Sequence, residues 1–412
     1  MSDLLSGIRV LESAVLLNGG SLGMYLADLG ADVIKIESPQ RGDYIRNMLG
    51  QITPGNSPAH LQVNKNKRSI TLDLKSDAGL DVFWDLLSLA DVFVDGFVGG
   101  SAEKLGIGYL EQRKRQPRIV YCHYSGYGRT GPYSSIPTHG QMMNAEAAAI
   151  SLRKDADGFV KSTENLELMK GTSLGGDGTA AGAIHAAFYV ASALFRREIS
   201  GQGCFVDVSA ADAVISQGWI GAVYGLNESR ISDRTGLRDT KSAHQTGAKY
   251  QYYETSDENF VLFCCIELKF WRTFCEAVDR GDLAAHQIEP GVVDFARDDQ
   301  ELRHELQAIF STRTQREWIQ LAIEYGIPIG PANQGVASLR GDQHLAARQI
   351  LFESKHPKAG AFTYVGEPAL VDDQEYALRM HAPVLGQQTD ELLRELGYSD
   401  DRIRELRDDG VV

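Results

Sequence analysis

From Ile8 to Cys122 the chain alternates short runs of β-branched and aromatic residues with longer helical stretches. This alternation constrains the fold more than any other feature. Ile8-Arg9-Val10-Leu11-Glu12, Asp32–Glu37, Ser69–Leu74, Val92–Asp95 and Arg118–Cys122 read as strands. Ser21–Leu29, closed by Gly30, and Ala78–Leu89, with Ser76 or Asp77 as N-cap, read as helices. Strands separated by helices cannot pair as hairpins. They need crossovers, which implies a parallel sheet with helices on its faces. The pattern weakens beyond the strand Phe205–Val208 and the helical stretch Ala210–Tyr224. Asn227–Gly247 is polar and irregular and reads as a linker. A second unit opens with a hairpin, Tyr250–Thr255 and Asn259–Phe263, with Glu258-Asn259 in its turn. Helices follow at Leu268–Val278, Gln300–Phe310 and Thr314–Tyr325, and a charged helical tail, Asp390–Leu406, is broken at Gly397.

The 412 residues are enough for about two or three domains. With 41 basic and 55 acidic side chains the formal charge is −14, which argues against nucleic acid or an anionic membrane as the main partner. A local basic pocket for a phosphorylated ligand remains compatible with it. Cys122, Cys204, Cys264, Cys265 and Cys275 lack CxxC spacing and fit neither a disulfide framework nor a zinc site. A reducing cytoplasm is the simplest setting. The N-terminal residues show no basic region followed by an apolar core, so no signal peptide is expected. No uninterrupted apolar run approaches about 20 residues, so no membrane span is expected either.

Asp177 stands in Gly175-Gly176-Asp177-Gly178-Thr179, ahead of the apolar run Ala180–Phe195. A carboxylate among glycines has little side-chain cover, and its place before a helix lets backbone N–H groups stabilise its charge. An N-cap aspartate and a functional carboxylate both fit. The first strand–helix–strand unit, Val10–Glu37, has glycines at its turn and an acid at its end. However, Gly19, Gly20 and Gly23 do not form G-x-G-x-x-G, and the loop from Leu11 to Gly19 is long for a pyrophosphate turn. A nicotinamide or flavin cofactor is therefore disfavoured.

Several motifs together resemble the class III coenzyme A transferase family (CaiB/BaiF type), which includes the α-methylacyl-CoA racemases. They are Gly7–Glu12, Ala27–Pro39, Asn64–Lys75, Ala90–Phe97, Leu105–Gly108, Ser125–Pro132, Arg196–Gly203 and Val206–Ser209. The motifs are dense over the first half of the chain and thin beyond it. The resemblance implies an α/β fold, with a Rossmann-like large domain containing a parallel sheet, a smaller α+β domain, and an interlocked homodimer. On this scheme residues 1–225 form the first part of the large, coenzyme A-binding domain. Residues 226–247 are a linker, 248–345 the small domain, and 346–412 a linker and C-terminal return to the large domain.

For the chemistry, the resemblance implies that Asp177 is the nucleophile that carries coenzyme A from an acyl-CoA to a carboxylic acid. No cofactor is held permanently; coenzyme A enters as co-substrate. The alternative within the superfamily is racemisation, with Asp177 and His139 exchanging the α-proton of a thioester. His139 and Glu267, and Gly96 where transferases carry asparagine, lean towards the racemases. Gly140, where racemases carry aspartate, and the stretch from Gly42 to Asn64 lean towards the transferases. Leu17 departs from the glutamine of formyl-CoA-type transferases. Their glycine-rich loop is missing from Arg238–Gly247, which argues against oxalate and formate. For the coenzyme, Lys65, Lys67 and Arg68 form the densest basic cluster near the expected C-terminal edge of the sheet. Lys104 and Arg129 stand in family motifs. Leu16, Leu17, Asn18, Leu72, Gly96 and Phe97 are expected along the pantetheine and adenine groove.

Overall fold

The computed structural model describes residues 3–48, 50–162, 178–234, 247–285, 293–297 and 299–412. Asp177 and most of the expected linker, 235–246, lie outside the described residues. The chain forms two compact units. The first comprises the described residues before 163, Gly178–Leu226 and Gly341–Val412; the second lies within Asn227–Arg340.

The first unit runs β1 (Arg9–Ser13), α1 (Leu16–Asp28), β2 (Asp32–Glu37), α2 (Pro58–Val63), β3 (Lys67–Thr71), α3 (Asp77–Ser88), β4 (Val92–Asp95), α4 (Ser101–Lys104), α5 (Tyr109–Arg115) and β5 (Val120–Ser125). There follow α6 (Met142–Glu146), the small hairpin β6 (Leu152–Lys154) and β7 (Val160–Ser162), α7 (Gly178–Ser200), β8 (Phe205–Ser209), α8 (Ala210–Gln217) and α9 (Trp219–Leu226). Six strands form one parallel sheet in the order β3-β2-β1-β4-β5-β8. This is the doubly wound order, in which the winding reverses between β1 and β4.

Both faces of the sheet are covered, so its strands are near-continuous apolar runs; all four residues of β4 are buried. On one face Leu22, Leu26 and Ala27 of α1 meet Ala183, Ala186 and Val190 of α7. On the other, Phe83, Leu86 and Leu87 of α3 meet Leu392, Leu393, Ile403 and Leu406 from the C-terminal tail. Helix α1 lies close because two of its glycines allow it. A Cβ at Gly19 would fall 2.1 Å from that of Ala14, and one at Gly23 would fall 1.8 Å from a Glu12 carboxylate oxygen. Helix α7 is long and apolar enough to cross a membrane, but 56% of its apolar window is buried inside the protein, as in a core helix.

The second unit has β9 (Gln251–Glu254), β10 (Phe260–Phe263), α10 (Leu268–Ala277), α11 (Gln300–Phe310), α12 (Gln315–Tyr325) and β11 (Ile329–Pro331). Its three strands pair antiparallel, and Trp271, Phe274, Phe310 and Trp318 fill its core. The hairpin turn places Glu258 at φ +60°, and Thr314 closes a capping box with Glu317. The chain then adds α13 (Gln343–Ala347), the hairpin β12 (Leu351–His356) and β13 (Gly360–Val365), α14 (Thr389–Glu395) and α15 (Asp400–Asp408) to the first unit. Gln388 and Thr389 accept the Ser69 and Thr71 amides at 2.9 and 3.1 Å, so the tail covers the free edge of β3.

Three expectations need correction. β3 spans Lys67–Thr71, two residues upstream of the expected Ser69 start, so Lys67 and Arg68 lie at the amino end of the strand. α1 starts at Leu16 rather than Ser21. The helical stretch Ala210–Tyr224 is two helices separated at Gly218.

Candidate active site

In an open doubly wound sheet, ligands bind beyond the carboxyl ends of the strands near the reversal point. Here the segments after β1 (Ser13-Ala14-Val15), β2 (Ser38–Asp43), β3 (Leu72–Lys75) and β4 (Phe97) bound a cleft of about 560 Å3. Leu72, Leu74, Phe97 and Leu105 give it apolar walls, and Arg41 and Lys75 supply its cations. Both cations are exposed, and neither joins an ion pair among the described residues. This mixture suits an extended ligand with apolar and phosphorylated parts.

The phosphate assignment of Lys65, Lys67 and Arg68 does not fit this geometry. Lys65 is fully buried and paired with Asp28. Lys67, also fully buried, donates to Glu12 Oε2 at 2.7 Å, Gly20 O at 2.8 Å and Asn64 Oδ1 at 3.2 Å. Burial is the main cause that lowers the Lys67 pKa to about 8. Arg68 bonds Asp32 at 2.6 Å and Glu395 at 2.6 Å. Lys65 and Lys67 neutralise the buried carboxylates of Asp28 and Glu12, and Arg68 joins the partly exposed Asp32 and Glu395. Sequence density marked these cations, but the length of β3 separates them from Lys75 beyond its carboxyl end. Lys75 and Arg41 were missed because single basic residues carry no pattern. Lys104 is exposed at the end of α4, and Arg129 is paired with Glu103 at 2.6 Å.

Leu72 and Phe97 line the cleft. Leu16, Leu17 and Asn18 form the first turn of α1, half-buried, directly after its lining residue Val15. The Phe97 turn is held by Asp95, whose carboxylate accepts the Phe97 amide at 2.9 Å and the Tyr121 hydroxyl at 2.7 Å and lies 3.0 Å from His123 Nδ1. The other ring nitrogen of His123 is buried without a partner among the described residues. Gly96 has a packing reason. A Cβ there would fall 2.4 Å from that of Ala14, so the position excludes any side chain while Ala14 occupies the neighbouring turn.

Under the cleft lies a charged layer. Lys35 donates to Glu12 Oε1 at 2.9 Å and to Ala14 O at 2.8 Å, and its ammonium lies 3.0 Å from Asp43. Burial works against this ammonium, but Glu12, Asp43 and Glu37 overcome it and raise its pKa. Glu37 is held by Arg46 at 2.6 Å. Burial opposes the Glu37 charge, yet Arg46 brings its pKa down to about 2.

Of the proposed chemical residues, Asp177 is not described, but the residue after it is. The Gly178 amide donates to the buried side-chain oxygen of Asn144 at 2.7 Å, and Tyr124 donates to Thr179 O at 2.6 Å. These two bonds fix the start of α7. Asn144 belongs to α6, whose Met142 amide donates to His139 O at 3.2 Å. His139 itself is exposed in the preceding loop. Glu267 is the N-cap position of α10 in the second unit, exposed and making no side-chain cap bond. Among the described residues, no group of three or more His, Cys, Asp or Glu is placed to hold a metal ion.

The fold defines a doubly wound α/β protein with a cleft at its switch point. The chain belongs to CoA-transferase family III, whose model matches residues 5–389. A formyl-CoA:oxalate CoA-transferase of Rhodopseudomonas palustris (strain BisB18) is 29% identical over 100% of this chain and 98% of its own length. An acyl-CoA transferase of Fusarium pseudograminearum (strain CS3096) is 31% identical, covering 99% and 88%. Among solved structures, a mutant of Rv3272 from Mycobacterium tuberculosis superposes with a TM-score of 0.73 at 24% identity, covering 94% of this chain and 98% of that one. A CaiB/BaiF family protein from Brucella suis gives 0.71 at 24% identity, covering 96% and 100%. The structural likeness shows the fold; the family match and the sequence relatives side with coenzyme A transfer rather than racemisation.

Proposed function

We propose that this enzyme moves coenzyme A from an acyl-CoA thioester to a free carboxylic acid through Asp177. The observation that carries the reading is the cleft at the carboxyl edge of the sheet, whose Arg41 and Lys75 join no ion pair among the described residues, in a chain of CoA-transferase family III. The adenine and pantetheine lie along Leu72, Leu74, Phe97 and Leu105, and the phosphates face Arg41 and Lys75.

The Asp177 carboxylate attacks the thioester carbonyl, giving an acyl–aspartyl anhydride and the coenzyme A thiolate. The thiolate attacks the aspartyl carbonyl, forming an aspartyl-CoA thioester and releasing the first acid as its carboxylate. The acceptor carboxylate then attacks this thioester, forming a second anhydride and freeing the thiolate again. Attack of the thiolate on the acceptor carbonyl yields the new acyl-CoA and regenerates Asp177. No redox partner is needed, and coenzyme A is carried rather than held. Backbone N–H groups in the glycine-rich segment around Asp177 would stabilise each oxyanion. His139, exposed in the loop before α6, and Glu267 are candidates carried by the family resemblance alone.

The working unit is proposed to be an interlocked homodimer. Helix α9, Trp219-Ile220-Gly221-Ala222-Val223-Tyr224-Gly225-Leu226, has no buried residue, and Phe188, Phe195 and Ile199 of α7 are 64, 72 and 77% exposed. A helix apolar all round is expected to be covered.

The test uses an acyl-CoA alone in deuterated water, then a second carboxylic acid. Transfer without deuterium at C2, a coenzyme A adduct on the protein, and loss of both in Asp177→Asn are expected. Deuterium wash-in at C2 with no acceptor present would overturn the transferase reading in favour of racemisation.

A further inference from the structure

Leu16 opens α1 with a backbone φ of +61°, a left-handed conformation that a branched side chain resists. Such outliers persist only where the surroundings impose them. Here the Leu16 amide points at both carboxylate oxygens of Asp43, 3.1 and 3.0 Å away. Asp43 is 1% exposed and also accepts the Ile45 amide at 3.0 Å, while its own amide donates to Glu37 at 3.0 Å. The same Lys35 ammonium that approaches Asp43 holds the carbonyl of Ala14 and the carboxylate of Glu12. One buried layer therefore grips the β1–α1 turn at Ala14 and at Leu16. Ala14 and Asp43 both line the cleft.

No step of the transfer uses Asp43, Lys35 or Glu12. Buried ion pairs contribute little to stability compared with apolar packing of the same volume, but they can fix one conformation. We propose that Asp43 is a positioning residue for coenzyme A, clamping Leu16 in its left-handed conformation so that the β1–α1 turn keeps the cleft in its binding shape. The inference rests on the proposed function, in that it takes the cleft to be the coenzyme A site.

Asp43→Asn keeps the size of the side chain but turns an N–H-bearing group towards the Leu16 amide or the Lys35 ammonium, breaking the clamp. Titration with free coenzyme A is expected to give a dissociation constant at least about tenfold weaker, with KM for acyl-CoA rising in parallel. kcat is expected to stay within about threefold and KM for the acceptor acid to be unchanged. Glycine adopts a left-handed φ without strain. In a Leu16→Gly background the same Asp43→Asn change is therefore expected to cost less than about threefold. A purely structural role would produce no such coupling. Where Asp43→Asn does not fold, Leu16→Val disturbs the turn alone, since a β-branched residue opposes positive φ, and the same weakening is expected. Coenzyme A binding within twofold of the parent in Asp43→Asn or Leu16→Val, or equal losses in both Leu16 backgrounds, would overturn the inference. Lys75→Ala separates the two readings. If it too leaves coenzyme A affinity unchanged, the assignment of the cleft fails; if it alone weakens binding, only the role of Asp43 fails.

Discussion

At the scale of single residues, the chain separates cations exposed at the cleft from cations buried in ion pairs. Arg41 and Lys75 are exposed at the cleft, and Lys65 is buried against Asp28. Replacing Arg41 or Lys75 with alanine is expected to raise KM for acyl-CoA about tenfold, the size of one charge-assisted contact to phosphate, and to leave the melting temperature nearly unchanged. Lys65→Met leaves the Asp28 carboxylate buried without its cation, held by Asn66 Nδ2 at 2.7 Å and the Tyr376 hydroxyl at 2.9 Å. It is expected to cost about 3–5 kcal/mol of stability in a denaturant titration while the folded enzyme binds coenzyme A normally. Asn144 belongs to a third kind. Its side-chain oxygen holds the amide that follows Asp177, so Asn144→Leu is expected to lower kcat at least about tenfold with little change in coenzyme A affinity.

At the scale of elements, the approach of α1 to the sheet depends on a glycine face. Gly23→Ala would drive a methyl into Glu12, the acid shared by Lys35 and Lys67. A loss of at least about 3 kcal/mol in chemical unfolding is expected, because both the helix and the charged layer must shift. The C-terminal return has its own pH dependence. Burial, and next the Asp28 charge, push the Glu367 carboxyl up to about 8 from an ordinary value of 4.5. Between pH 4.5 and 8 the folded protein then holds a proton that the unfolded chain releases. This contribution is full below pH 4.5 and is lost as pH rises through 8. Glu367→Gln removes the titration. The variant is expected to melt no lower than the parent at pH 8, with a smaller change in melting temperature between pH 5 and pH 8.

At the scale of the molecule, the proposed dimer makes a separate prediction. Light scattering is expected to give twice the chain mass at micromolar concentration. Trp219→Glu together with Tyr224→Glu, on the helix with no buried residue, is expected to release monomers and abolish transfer. A monomeric parent with full activity would remove the dimer from the mechanism.

The alternation of apolar strands and helices determined the parallel α/β sheet, because a parallel pair has no other way to connect and a doubly covered strand must be apolar throughout. The period-2 and helical patterns also placed the Gln251–Glu254/Phe260–Phe263 hairpin and the three helices of the second unit within a few residues. Local sequence marked the glycine-flanked Asp177, and the family resemblance marked Leu72 and Phe97, which line the cleft. The strand ends were decided only in three dimensions. Lys67 and Arg68 stand at the amino end of β3 and turn to Glu12 and Asp32, while Lys75, beyond its carboxyl end, lines the cleft; these long-range pairings decide which cations are free to meet solvent. The contacts of Asp43 with Leu16 and of Asn144 with Gly178 span 27 and 34 residues. Such contacts carry no local signature, because they depend on which turns the sheet brings together, and that is settled by tertiary packing.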